Sequence, residues 1–430
     1  MGRFLPSRLS SWLAPATYPV LQRGYALCVE RGASADACKS AYVAVAAACA
    51  VGTVLLVLLW LASTRHVAQR LRERRIAMDA AVSDLSELPV SRAAIDREQY
   101  ERMLGNVLER ARGCDGLLDL GDTVAQRVAA ESVAILGGGP AVLAQLAHPY
   151  VAWAVREHSY SLEDTQRRFY GTFSAVFALT FGTLATAEKA SRRVFLTHMH
   201  VRGVVPQSVG VYRKGAAYAA SDEEAAIWVV ATLIDYALVM YELFVDQLSA
   251  ADKERYYQFH KRVVGVWGID ASRLPPTYDA FMRYCAQMWH SERLVVTPEA
   301  AALARFLLRP LPWERALGLN TYAHLTAYLL PQRMVRAYEL GGQLSTTSAS
   351  FWLMCASVGL ARLLYKVVPL RVRQFTGAAE RDARKSARPL RWYSRVAGAV
   401  GAWFVNSVLS AENDARFRSK LAPLGGDKRQ

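Results

Sequence analysis

Arg168 and Thr172 lie four residues apart, and His198 follows in a segment whose other residues at helical spacing are apolar or small. Thr165, Arg168, Thr172 and Leu179 fall at i, i+3, i+7 and i+14. Arg168 and Thr172 therefore project from one side of a helix whose continuation, residues 175–181 (AVFALTF), is apolar. A guanidinium aimed into an apolar interior must be paired, either by a carboxylate on a neighbouring helix or by an anionic group of a bound molecule. In residues 185–203 (ATAEKASRRVFLTHMHVRG), Ala187, Ser191, Val194 and His198 share a stripe with Leu184, while His200 points to a nearly opposite side. An imidazole on such a stripe is either a hydrogen-bonded core residue or a metal ligand. A third polar face carries Trp228, Thr232, Asp235 and Glu242 at i, i+4, i+7 and i+14. Carboxylates in a mainly apolar helix need partners: they can orient a histidine, bind Arg168, handle protons, or pair with Arg333 or Arg336.

The elements that must position these residues read as helices nearly throughout. Ala, Leu, Arg and Glu dominate, and no series of alternating strands with turn dipeptides appears. Capping signals at 161–164 (SLED) and 221–224 (SDEE) open two of the helices, with breaks at 137–140, 203–206, 274–276 and 310–312. The run at 137–140 (GGGP) lacks the third glycine of a dinucleotide fingerprint and the GK[ST] ending of a phosphate loop, and reads as a turn. No fixed-period repeat is present.

Hydrophobic residues make up 53% of the 430, on the high side for a soluble chain. Much of the excess sits in residues 41–62 (AYVAVAAACAVGTVLLVLLWLA). At about 1.5 Å per residue this uncharged run reaches roughly 33 Å, enough to cross a hydrocarbon core. Arg65, Arg70, Arg72, Arg74 and Arg75 follow it, whereas the ten residues before it hold only Arg31, Lys39 and Asp36, which places the C-terminal part in the cytosol. Cys28 and Cys38 then fall on the oxidising side and can pair. Cys114, Cys285 and Cys355 are expected as reduced thiols, and neither a CxxC nor a Cys/His pair at zinc spacing occurs. Of the net charge of +15, a segment from Arg362 to Arg395 supplies +8, interleaved with Phe375, Trp392 and Tyr393 and followed by Trp403 and Phe404. Beside an anchor this pattern fits anionic headgroups, or a solvated helical face, better than nucleic acid.

The expected organisation is a short luminal N-terminus (1–40), a transmembrane helix (41–62), a basic juxtamembrane linker (63–95), a helical domain (96–345), and basic amphipathic C-terminal helices and tail (346–430).

Taken in order, residues 137–159 (GGGPAVLAQLAHPYVAWAVREHS), Arg168-x3-Thr172, Phe181-Gly182, His198-x2-Val201-x-Gly203, 231–242 (ATLIDYALVMYE) and 329–338 (LLPQRMVRAY) resemble the rubber oxygenase catalytic domain family. Its members include the bacterial latex-clearing proteins and a fungal ER-bound oxygenase that cleaves a farnesyl side chain. The resemblance implies an all-α, globin-like helical core, here preceded by one transmembrane helix, that holds haem b with His198 as the axial iron ligand. It places Arg168 and Thr172 at the haem pocket, as catalytic and cofactor-binding residues, with His148 and His158 as further pocket candidates. The implied reaction uses dioxygen to cleave a carbon–carbon double bond of an apolar unsaturated lipid or prenylated substrate, and the implied home is the endoplasmic reticulum membrane with the catalytic domain cytosolic. Membrane lipids are then expected partners, and nucleic acid is not. The chain departs from the latex-clearing pattern sixteen residues before Arg168, where Ala152 stands in place of their catalytic glutamate. A non-catalytic haem- or lipid-binding membrane protein is the alternative.

Overall fold

The structure, a computed structural model, describes residues 34–80, 94–158, 165–308, 320–340 and 349–387. The capping signal at 161–164, the break at 310–312, Cys28 and the aromatic residues after 387 lie outside them. The chain divides into two compact units, residues 1–63 and 64–430.

In the first unit the described residues form the beginning of a single helix, α1 (Ala35–Asp79). Its apolar side chains are exposed on every side, Val51 and Leu56 among them, and Cys38 is disulfide-bonded. In the second unit the same helix continues where a linker was expected, as far as Asp79. Here Val67, Ala68 and Leu71 are fully buried in the main hydrophobic core. Their i, i+1, i+4 spacing makes one narrow apolar stripe that the arginines around it do not interrupt.

The second unit is built from α2 (Arg97–Arg110), α3 (Thr123–Ala130), α4 (Gly138–Leu146), α5 (Pro149–His158), α6 (Thr165–Phe181) and α7 (Leu184–His200). Two short strands follow, β1 (Arg202–Val204) and β2 (Ala217–Ala219), and then α8 (Glu223–Phe244), α9 (Ala250–Val263), α10 (Tyr278–His290) and α11 (Pro298–Leu307). After these come α12 (Thr321–Tyr328), α13 (Gln332–Ala337), α14 (Ala349–Val367), α15 (Leu370–Arg373) and α16 (Thr376–Ser386). The fold is all-α, as the sequence predicts. Among the described residues, the antiparallel ribbon β1–β2 is the exception that helical periodicity does not reveal, since three-residue strands carry too little pattern to read.

Helix α8 runs through the middle of the core and is buried along most of its length, with Trp228 Nε1 donating to Ala144 O at 2.8 Å and Tyr236 Oη to Leu329 O at 2.9 Å. Its cap is Asp222, one residue later than the sequence signal at Ser221, because the Asp222 carboxylate accepts from Ala225 N at 2.9 Å. The core also extends past residue 345: Phe351, Met354, Cys355 and Val358 of α14 belong to the main hydrophobic cluster. The basic residues beyond α14 are partly spent inside the protein. Arg373 pairs with Glu131 at 3.0 Å, Arg384 with Asp115 at 3.0 Å and Lys385 with Asp119 at 2.8 Å, and Arg381 also pairs with Asp119.

Candidate functional site

Helices α6 and α7 form an antiparallel hairpin joined at Gly182-Thr183. The turn allows no side chain at Gly182, where a Cβ would stand 2.3 Å from Ala178 O, and Thr183 caps α7 by accepting from Thr186 N. This end is clamped: Leu184 N donates to Asp115 O at 2.7 Å, Arg384 donates to Phe181 O at 2.7 Å, and Phe177 packs edge-on against Phe375. Arg168 stands fourteen residues before Gly182 and His198 fifteen after Thr183, so a rise of about 1.5 Å per residue sets both at one height, about 21 Å from the turn. The backbone thus brings the two sequence-selected positions to the same open end of the hairpin. The Arg168 side chain lies outside the described residues.

The predicted stripe on α7 is followed only in part. Ala187 and Ser191 are buried, and Ser191 Oγ donates to Val266 O at 2.6 Å while meeting Tyr100 Oη at 2.7 Å. Phe195, one position off the stripe, stacks on Tyr100 with ring centroids 3.8 Å apart. Beyond this layer the helix runs off the core: Val194 is half-buried and His198 is exposed in the last turn, its carbonyl accepting from Val201 N at 3.1 Å. The hydrogen-bonded core position on this stripe is held by Ser191, and His198 stands at the rim. Thr172 is exposed as well. His200 is exposed on the other side of α7, in a shallow surface depression shared with Glu188, Lys189, Arg192 and Leu196.

His148 is placed differently, in full burial at the start of α5. Tyr212 has one hydroxyl proton and donates it to Arg293 O at 3.1 Å, so His148 Nε2, 3.1 Å from Tyr212 Oη, is the donor between the two. Its Nδ1 is then buried and without a well-formed hydrogen bond among the described residues. Burial first, and the Arg293 cation second, push the His148 pKa down to about 3, so the ring is neutral. Arg293 itself pairs with Glu224 at 3.0 Å. Since Tyr212 lies in the loop between β1 and β2 and packs among Tyr150, Trp153 and Tyr218, this cluster ties the ribbon that follows His198 onto α5. His158 ends α5, and its side chain lies outside the described residues.

The carboxylates of α8 take partners the sequence reading did not foresee. Asp235 accepts both arms of Arg74, at 2.6 and 3.1 Å, and Glu242 meets Arg70 at 2.8 Å and Lys253 at 3.0 Å. Arg333, one of the expected partners, donates instead to Trp289 O and Ser291 O. Burial pulls the Arg74 pKa down, but Asp235 more than offsets it and the net shift is upward. The four-residue spacing of Arg70 and Arg74 against the seven of Asp235 and Glu242 was the available signal. It went unread because nothing in the sequence says that α1 passes α8. At 137–140 the glycines serve packing. Gly139 N donates to Tyr322 Oη at 2.8 Å, and a Cβ there would stand 2.5 Å from that oxygen.

A family model, ER-bound oxygenase mpaB/B'/rubber oxygenase, catalytic domain, matches residues 125–399. The chain belongs to this family. Searches of curated proteins and of solved structures returned no match. The matched span begins inside α3 and ends beyond α16, so the docked C-terminal helices are part of the oxygenase domain. Being an oxygenase, the protein is an oxidoreductase that acts with dioxygen on a further substrate. Among the described residues of this oxygenase, no three His, Cys, Asp or Glu side chains group as a metal-binding set. An iron held at His198 would need a macrocycle to supply its other ligands, and an exposed imidazole on the same hairpin as the Arg168 and Thr172 positions is compatible with one.

Proposed function

We propose that this oxygenase holds haem b through His198 and uses dioxygen to cleave a carbon–carbon double bond in an isoprenoid or other unsaturated lipid-like substrate, while anchored in a membrane by residues 41–62. The observation that carries the haem reading is the placement of His198 at the rim of the core, level with Arg168 on the hairpin. Haem would supply the dioxygen redox chemistry that no side chain provides. His198 would give iron a neutral imidazole nitrogen, with α7 held in position by the Ser191–Tyr100–Val266 contacts about two turns before it. Arg168 would neutralise a propionate carboxylate, and the Thr172 hydroxyl would donate a hydrogen bond to an oxygen atom in the pocket. The His148 cluster would keep the chain after His198 from swinging away.

Among the described residues three helices are long and apolar enough to cross a membrane, and the core accounts for one of them: α8 is 78% buried over its apolar window, whereas that of α1 is 0% buried. An apolar helix with no protein around it is stable in lipid. The arginines after residue 62 favour a cytosolic catalytic domain. The orientation bias acts during insertion, so pairs formed later with Asp235 and Glu242 do not cancel it. A substrate dissolved in the bilayer would then be close to the domain that consumes it.

Absorption spectroscopy of the detergent-solubilised protein after haem supplementation tests the proposal. A Soret band is expected, lost in His198→Ala and largely retained in His200→Ala. Equal loss in both would remove His198 as the ligand, and no band in the wild type would remove haem. Oxygen uptake with polyprenyl or polyunsaturated lipids, accompanied by aldehyde or ketone products, is the expected activity, and its absence in haem-loaded protein would favour the non-catalytic alternative.

A further inference from the structure

Helix α14 has two unlike faces. Phe351, Met354, Cys355, Val358 and Gly359 turn into the core, while Leu353, Leu360, Leu364 and Val367 form an outward stripe, with Leu364 57% and Val367 77% exposed. Leu370 and Val372 of α15 prolong it, and Trp352 flanks its start. A continuous exposed apolar stripe of this kind marks an interaction surface.

What it meets is indicated by its neighbour. Gly359 lies against Thr64, a Cβ there standing 2.9 Å from Thr64 N, and Arg72 lies over the Phe351 and Trp352 rings at 5.3 and 5.1 Å. Helix α14 and the buried part of α1 therefore pass antiparallel, and the exposed half of α14 begins where its contact with Thr64 ends. Thr64 is the second residue after the apolar run 41–62. The cations on this side differ from those further along. Arg373, Arg381, Arg384 and Lys385 have carboxylate partners, but among the described residues none pairs with the exposed Arg65, Lys366 or Arg371. Leucines and a tryptophan beside unpaired cations match the acyl boundary and anionic headgroups of a bilayer.

We propose that the outward face of α14 and α15 is a second membrane contact, seated on anionic lipid beside the point where the chain leaves the bilayer. The inference rests on the anchoring part of the proposed function. Spin labels placed one at a time at Leu360→Cys, Leu364→Cys and Leu56→Cys test it, in full-length protein with Cys49→Ala and Cys114→Ser, reconstituted in phosphatidylcholine nanodiscs with and without phosphatidylserine. Expected at all three sites is collision with dioxygen severalfold above collision with a water-soluble nickel chelate. Lys366→Glu with Arg371→Glu should lower that ratio at Leu360 and Leu364 in the serine-containing discs alone. Nickel-chelate access at Leu360 and Leu364 with lipid at Leu56 would overturn the second contact and leave the anchor standing. Water at all three would overturn both. Exclusion of both reagents at Leu360 and Leu364 would show protein covering the face, and an equal charge-reversal effect in both lipids would overturn the anionic preference.

Discussion

A histidine can be structural or chemical depending on a few ångströms of surroundings, and burial holds two of this chain's histidines below their ordinary pKa. His148 is buried, donates through Nε2 and is kept neutral. His260 is also buried, and burial pushes its pKa down to about 4. For both, the folded pKa lies below the ordinary value of about 6.5. The unfolded chain therefore binds more protons between those values, and stability rises with pH in that window. The contribution is complete above about pH 6.5 and fades for His148 as pH falls towards about 3. His148→Gln keeps a donor for Tyr212 without a titrating ring. It should lower the slope of unfolding free energy against pH between 6 and 4 by about 1.4 kcal/mol per pH unit. An unchanged slope in urea titrations would show that His148 is not held neutral. His198 is exposed at the rim, where His148 is fully enclosed, so His198→Ala should lower the melting temperature of the haem-free protein by less than His148→Ala does.

Among the elements, α1 departs most from its sequence description. Arginines read as a juxtamembrane linker are its docking teeth: Arg70 and Arg74 face Glu242 and Asp235 on α8, and Arg75 donates to Gln332 at 2.7 Å. The Arg74–Asp235 pair is nearly enclosed, with side-chain exposures of 13% and 7%. Removing one partner leaves a buried charge, so Arg74→Met should cost about 3 to 5 kcal/mol. The double variant Arg74→Met with Asp235→Leu should recover most of it, as replacing both ends of a buried pair is often neutral. Chemical denaturation of the two variants reads this directly, and equal destabilisation would show that the pair matters only for packing.

At the scale of the whole molecule, the second compact unit begins at Thr64, and the buried end of α1 packs in the same core as the helices expected from residue 96 onward. A chain truncated to begin at Thr64 should fold. One beginning at Ile95 should lose the buried Val67, Ala68 and Leu71 and leave Asp235 unpaired, and it should aggregate or melt well below the longer chain in circular dichroism. Equal stability of the two would place α1 outside the unit. The all-α class, the apolar run 41–62 and the family were legible in the sequence, because helical periodicity, uncharged length and motif order are local properties of the chain. Partners were not legible. Asp235 and Arg74 are separated by 161 residues, as are other pairs at comparable distances, and only the packing of α1, α14 and α16 against the core decides which charges meet, which histidine is enclosed, and which apolar stripe is left facing outward.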